Sequence, residues 1–391
     1  MSYFWLTVNL LTTVNLLTTM ATPITLGTNV TKVNDRASNQ IQCIMQQQHQ
    51  RYKLNYLPWR RAKHEVKQQR IDGYFTAVPD PEIAKYASLS APLFLENWYW
   101  FSRNNQHQQV ATNIRFGAVL GSHQADWFNA NGYQLDVEVN TLAQLVQLLA
   151  LQRIDMILAD QEDFALMRES LKLPEQQFKQ RFFRYVALGV YFSNSFLQRQ
   201  PDFLNRFNQQ VHQCASSPFA LPENEQQKIT DLLLPAVTDL RQQVTLITAI
   251  QARNDLQQSI GFIQQHDELW ITEQDQQKSG LADTMLTSTL SKMLGQWQQN
   301  FPGIVTEVIV TDNQGANVAI SAATSDYWQG DEAKFLSIFE QPRTFYLGPV
   351  EYDQSSRRFL THLSMPVLHQ QQHIGTIIVG INIEQALTER N

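Results

Sequence analysis

From residue 24 to about residue 215, short apolar runs of strand length alternate with longer segments whose apolar positions recur every three or four residues. That alternation predicts an α/β fold with parallel strands. Strands are expected at 24–28, 53–56, 71–75, 113–119 and 155–159, and helices at 38–50, 60–69, 141–151 and 202–214. The pattern changes at Ser216-Ser217-Pro218, where a polar, proline-bearing stretch begins and runs to Glu225. Beyond it, apolar residues from Ile229 to Ile260 keep near-helical spacing, so residues 226–264 read as one long helix. Pro235 lacks the N–H that a helix interior needs and is expected to kink or break it. A helix at 281–299, a strand at 305–311, a hairpin turn at Asp312-Asn313-Gln314-Gly315, a helix at 332–339 and strands at 345–352, 358–366 and 375–383 complete the pattern.

Composition bounds what such a chain does. Its 391 residues are 43% apolar, enough for two or three domains with real cores. The formal charge of −6 comes without a long basic track, which excludes nucleic acid as the expected partner. Arg60, Arg61, Lys63 and Lys67 form the densest basic cluster and read as a solvated helix face. Residues 4–20 are uncharged and, apart from Asn9 and Asn15, apolar or hydroxylated, as in an export signal ending near Ala21, although no lysine or arginine precedes them and TVNLLT repeats in tandem. Cys43 and Cys214 permit one disulfide between the first and last helices of the N-terminal domain, or remain two separate buried thiols. GxSxG, SxxK, Walker, GxGxxG and HExxH motifs are all missing, so neither an enzyme nor a cofactor is expected. His369 and His373 flank three glutamines and read as a solvated turn, not a metal site.

The stretch YLPWRRAKHEVKQQRIDGYFTAVPDPEIAKYASLSAPLFLENWYWFSR, residues 56–103, resembles the first lobe of a type II periplasmic solute-binding protein of the amino-acid-binding kind. The resemblance implies two lobes, about 22–102 with 190–216 and about 103–189, that close by hinge motion on a ligand between them. Trp98 to Ser102 should leave the first lobe and Ala187 to Phe192 return to it. Ile83 falls where relatives carry the arginine that grips a ligand carboxylate, whereas Asp160 matches their ammonium-binding aspartate. The implied ligand is therefore small and polar or amine-bearing. Its wall is sought among Trp59, Tyr74, Phe75 and Trp98, with Trp127 also considered and a core role as the alternative for each. The 28–39 loop has no aromatic. Ser122 opens a helix whose free N–H groups face a ligand, or simply caps it.

The segment Thr311 to Phe335, with the helices before it and the strands after it, resembles a Cache-type sensor domain, the extracellular relative of PAS. There Tyr327 and Trp328 form a candidate ligand wall, Asp331 a candidate amine partner, and Arg343 and Tyr346 candidate completing groups; a capping role for Asp331 and a plug role for Trp328 stand beside these. The expected organisation is an export signal (1–21), a two-lobed α/β solute-binding-like domain (22–216), a linker and helical connector (217–266) and an α+β Cache/PAS-like domain (267–391). The expected function is periplasmic small-molecule sensing, relayed to a membrane sensor kinase, chemoreceptor or cyclase. The alternatives are the binding component of an ABC-type uptake system and a ligand-free interaction module.

Overall fold

Parallel strands bury both faces and need helices to return the chain, and the first half of the protein is built that way. The computed structural model describes residues 22–29, 36–103, 114–215, 219–276, 278–353 and 358–388. The expected export signal and the start of the expected linker, 216–218, lie outside the described residues. In the first lobe, β1 (Ile24–Thr28), α1 (Arg36–Gln47), β2 (Tyr52–Tyr56), α2 (Trp59–Lys67) and β3 (Gly73–Ala77) form a parallel unit in which β1 pairs with both β2 and β3. Next come β4 (Ala87–Leu89) and β5 (Phe94–Ser102). The second lobe follows as β6 (Phe116–Val119), α3 (His123–Ala130), β7 (Val137–Val139), α4 (Leu142–Ala150), β8 (Met156–Asp160) and α5 (Gln161–Ser170). β9 (Lys179–Ser193) then returns, followed by α6 (Asn194–Arg199) and α7 (Phe203–Gln213).

Strand order runs β2-β1-β3-β9-β5-β8-β6-β7, with β4 added on β9. β9 serves both lobes: Gly189 to Phe192 pair with β3, and Lys179 to Leu188 pair with β5. The crossing lies where Phe94–Asn97 oppose Tyr185–Leu188, earlier on β5 than the sequence suggested. Trp98–Ser102 already pair with β8 in the second lobe, because β5 is nine residues long.

The predicted single helix over 226–264 is three: α8 (Glu223–Leu240), α9 (Val244–Asp255) and α10 (Ile260–Asp275). Pro235 lies inside α8, and the helix continues past it. Ile229, Leu233, Val237 and Leu240 form one buried stripe that holds the helix across the lost hydrogen bond. The 281–299 helix likewise divides into α11 (Leu281–Leu286) and α12 (Thr289–Gln298), where Ser288 caps α12. The C-terminal sheet consists of β10 (Val305–Thr311), β11 (Asn317–Ile320), β12 (Tyr346–Leu347), β13 (Glu351–Asp353), β14 (Arg358–His369) and β15 (Gln372–Asn382). α13 (Ala333–Phe339) precedes β12, and α14 (Ile383–Leu387) follows β15. Its antiparallel order is β11-β10-β15-β14-β12, with β13 on β14. The β10–β11 turn is closed by Asp312 Oδ1, which accepts from the Gln314 and Ala316 N–H groups, and by Gly315 at φ 85°.

One core runs through several of these segments. Tyr99, Phe101, Leu149 and Ile157 of the second lobe share one core with Ile229 and Leu233 of α8 and with Val308, Leu363 and Val379 of the C-terminal sheet. The first lobe has separate cores, one around Ile41, Phe75 and Phe207 and another around Val66, Tyr74 and Tyr191. Cys43 on α1 and Cys214 just after α7 are joined by a disulfide within the first lobe. No helix among the described residues is long and apolar enough to cross a membrane.

Candidate functional site

In the second lobe β6, β7 and β8 run parallel, and their C-terminal ends lead into α3, α4 and α5, placing three helix N-termini along one edge. Open α/β sheets bind ligands in such a crevice. Ser122, Thr141 and Asp160 cap the helices by accepting from the N–H groups of Ala125 (3.1 Å), Gln144 (3.2 Å) and Asp163 (3.0 Å). Opposite them lie Asn29, at the end of β1, and Trp59, at the start of α2. The two walls enclose a cavity of about 250 Å³.

The lobes touch across this cavity. His123 Nε2 lies 2.8 Å from the Thr76 carbonyl, the Trp59 and His123 rings are 4.6 Å apart, and Lys63 reaches Asp126 at 3.2 Å. Thr76 orders the first-lobe wall: its hydroxyl accepts from Trp59 Nε1 (3.1 Å) and donates to the Phe75 carbonyl (2.6 Å), with Asn29 Oδ1 3.2 Å away. Thr76 also holds a φ of 59°. A β-branched residue pays about 1–3 kcal/mol of strain there, a cost that recurs at functional sites. His123 is buried, with Nδ1 unpartnered, and desolvation holds its ring below the ordinary pKa, so it is neutral.

The lining is acidic. Glu96, Asp160 and Asp163 face the cavity, and among the described residues no lysine or arginine lines it. Glu96 accepts from Trp98 Nε1 (2.8 Å), and Asp160 Oδ2 accepts from the Asn97 N–H (3.0 Å). Burial, with mutual repulsion added, pushes Glu96 up to about 8; burial likewise raises Asp160 to about 7, against its backbone hydrogen bonds. A small cation or ammonium entering here would meet carboxyls that ionise readily once it is present. Among the described residues no group of three or more His, Cys, Asp or Glu is placed to hold a metal ion.

Of the sequence candidates, Trp59, Ser122 and Asp160 meet in this cavity. Tyr74 and Phe75 do not reach it: β3 is covered on both faces, so its alternate side chains enter the two first-lobe cores, each fully buried. Trp98 is buried in a second-lobe core and touches the site only through its bond to Glu96. Trp127 packs against that same core. Ile83 is buried in the first lobe within a short 3₁₀ turn (Ile83–Lys85). In the C-terminal half Tyr327 is buried, and Trp328 Nε1 donates to the Gln314 carbonyl (2.7 Å) as a plug. Asp331 is exposed and lies before the cap of α13, which is Glu332. Arg343 is exposed and stacks on Tyr346, with 5.6 Å from guanidinium to ring. These last three therefore form no enclosed site. Sequence reasoning missed Glu96 and His123. Glu96 stood unremarked in the first-lobe stretch, and His123 gains meaning only when the opposite lobe brings Thr76 to it.

A second constellation sits at the crossing. Glu225, on the first turn of α8, is fully buried. Asn97 Nδ2 (2.9 Å) and the Tyr99 hydroxyl (2.6 Å) donate to its Oε1, and the Tyr185 hydroxyl donates to Oε2. Both crossing strands thus hold the helix that leads to the C-terminal half. The Tyr185 N–H also donates to Glu384 of α14 (2.9 Å).

No protein-family model matches the chain, and no curated protein matches it. Several solved structures are similar over about half of it. The ligand-binding core of GluR0 from Nostoc punctiforme, in complex with L-glutamate, is 13% identical over 49% of this chain and 92% of that one, with a TM-score of 0.42. A histidine kinase sensor domain with similarity to periplasmic binding proteins is 13% identical over 49% and 89%, at 0.41. The arginine-, lysine- and histidine-binding protein ArtJ from Geobacillus stearothermophilus is 10% identical over 49% and 89%, at 0.40.

Proposed function

We propose that the protein binds a small amine or other organic cation between its two lobes and senses it, with no turnover of the ligand. The observation that carries this reading is the cavity lining, with three carboxyls and no cationic side chain among the described residues, between helix N-termini and a strained Thr76. Closure would be held by the Thr76–His123 and Lys63–Asp126 contacts. Sensing is favoured over simple delivery because Glu225 ties both crossing strands to α8, so a hinge movement pulls directly on the helix that leads to the C-terminal half. The disulfide suits an oxidising, periplasm-like compartment, and the relay partner would be a membrane sensor kinase, chemoreceptor or cyclase.

The pH dependence tests the site. Glu96 and Asp160 are raised from the ordinary 4.5 and 3.8 to about 8 and about 7. Their protonated forms therefore stabilise the unliganded protein fully below about pH 4, and that contribution is lost as pH rises through 7 and 8. A cation binds the ionised carboxyls, so its affinity changes in the opposite sense. Calorimetric titration with putrescine and ethanolamine is expected to show affinity rising about ten- to hundredfold between pH 6 and pH 9, with proton release on binding. Glu96→Gln should flatten most of that rise. Affinity independent of pH, or no binding of either amine, would count against the cation reading.

A further inference from the structure

The C-terminal half holds a second and larger cavity, of about 570 Å³, between α9, α10, α11 and the edge strand β11. That volume lies in the range of small-molecule sites. Its electrostatics are opposite to those of the cleft. Among the described residues, Arg253 is the one lysine or arginine in the lining, and no aspartate or glutamate lines it. Most of the wall is apolar, with Trp270 and Met285 within and Phe262 and Leu256 part-exposed, Leu256 at 61%.

Four lining side chains each carry a buried polar atom without a hydrogen-bond partner: Arg253 Nε, Tyr327 Oη, Asn317 Oδ1 and Gln258 Oε1. Such atoms cost about 1–3 kcal/mol each when left unmade, and most native interiors avoid them. Four in one wall mark a place where hydrogen bonds are supplied from outside the chain. Their identities specify what supplies them. The Asn317 amide is oriented by its own donors, since Nδ2 gives hydrogen bonds to Thr324 Oγ1 (3.2 Å) and to the Asp326 carbonyl (3.1 Å), so the free atom is an acceptor. Arg253 and Tyr327 are free donors set side by side, with the guanidinium 5.7 Å from the tyrosine ring centroid. Arg253 Nε forms an ion pair with Oδ2 of the buried Asp312 at 3.7 Å, which offsets part of its charge but lies beyond hydrogen-bond reach and leaves the Nε–H without an acceptor.

We propose that this cavity is a second ligand site, for a small carboxylate with an apolar body and a hydrogen-bond donor, hydroxyl or N–H, beside the carboxylate. Arg253 and Tyr327 take the carboxylate, Asn317 and Gln258 accept from the donor, and the body lies against Trp270, Met285 and Phe262. The site stands independently of the cleft and of the function proposed for it.

Titration calorimetry on the full chain with 3-phenyllactate, phenylalanine and phenylacetate tests the assignment. Saturable binding of phenyllactate or phenylalanine is expected, and the tighter of the two identifies the donor as hydroxyl or ammonium. Phenylacetate, which lacks the donor, should bind about tenfold more weakly. Arg253→Met should weaken binding about ten- to hundredfold. Ala252→Leu, which narrows the wall while leaving every polar group in place, should also weaken it, so the result survives a folding defect in either variant. Glu96→Gln, in the cleft, should leave this binding unchanged. The proposal is overturned by the absence of saturable binding of all three compounds at millimolar concentration, by binding that survives both Arg253→Met and Ala252→Leu, or by phenylacetate binding as tightly as the others.

Discussion

Glu225→Ala is expected to lower the free energy of unfolding by about 3–5 kcal/mol, the largest loss anticipated from a single polar substitution in this protein. The carboxyl is fully buried and accepts from Asn97, Tyr99 and Tyr185, so its removal strands three donors in a core. Burial raises its pKa and the three hydrogen bonds oppose that rise. Glu225→Gln retains one acceptor oxygen but sets an NH₂ against a tyrosine hydroxyl, and should cost roughly half as much. Tyr185→Phe removes a single donor and should cost about 1–2 kcal/mol. Urea unfolding of the four proteins at one pH provides the comparison. A Glu225→Ala midpoint within error of the parent would show that the cluster does not hold the crossing strands to α8.

Reduction of the Cys43–Cys214 bond should cost about 2–5 kcal/mol. The cysteines are 171 residues apart in sequence, a separation for which the chain-entropy account gives about 5 kcal/mol before native-state relaxation. The loss should be local. The bond joins α1 to the end of α7 within the core that also contains Ile41, Phe75 and Phe207, and this core is separate from the one under the C-terminal sheet. Hydrogen exchange with and without reductant is expected to show faster exchange in α1, α7 and β1 and little change in β10, β14 and β15. Equal acceleration throughout would mean that the first lobe is not an independent cooperative unit.

Much of the fold was legible because period and burial agree. β10 was read at 305–311 and runs Val305–Thr311; β14 and β15, whose central residues are buried almost without a break, begin and end within three residues of expectation. Residues 226–264 read as one helix, where the structure has three over 223–275, because apolar spacing persists across both breaks. The second break passes through Gln257 at φ 46°, a left-handed residue with no glycine or asparagine to announce it. Sites were legible only where local structure makes them. Ser122 and Asp160 sit at strand-to-helix turns, which sequence can place. Glu225 lies in a stretch that reads as solvated linker, and only the arrival of Tyr99 and Tyr185 from strands more than a hundred and about forty residues back turns it into the centre of a buried cluster.

The single core shared by the second lobe, α8 and the C-terminal sheet makes the molecule a pair of jaws with one jaw fixed to the handle. If the cleft closes as proposed, the first lobe, whose cores are separate, is the part left free to move. Any partner that grips the outer helices of that lobe in the closed position would tighten the hold on a cleft ligand without touching it, and the ligand would tighten the grip of the partner by the same factor.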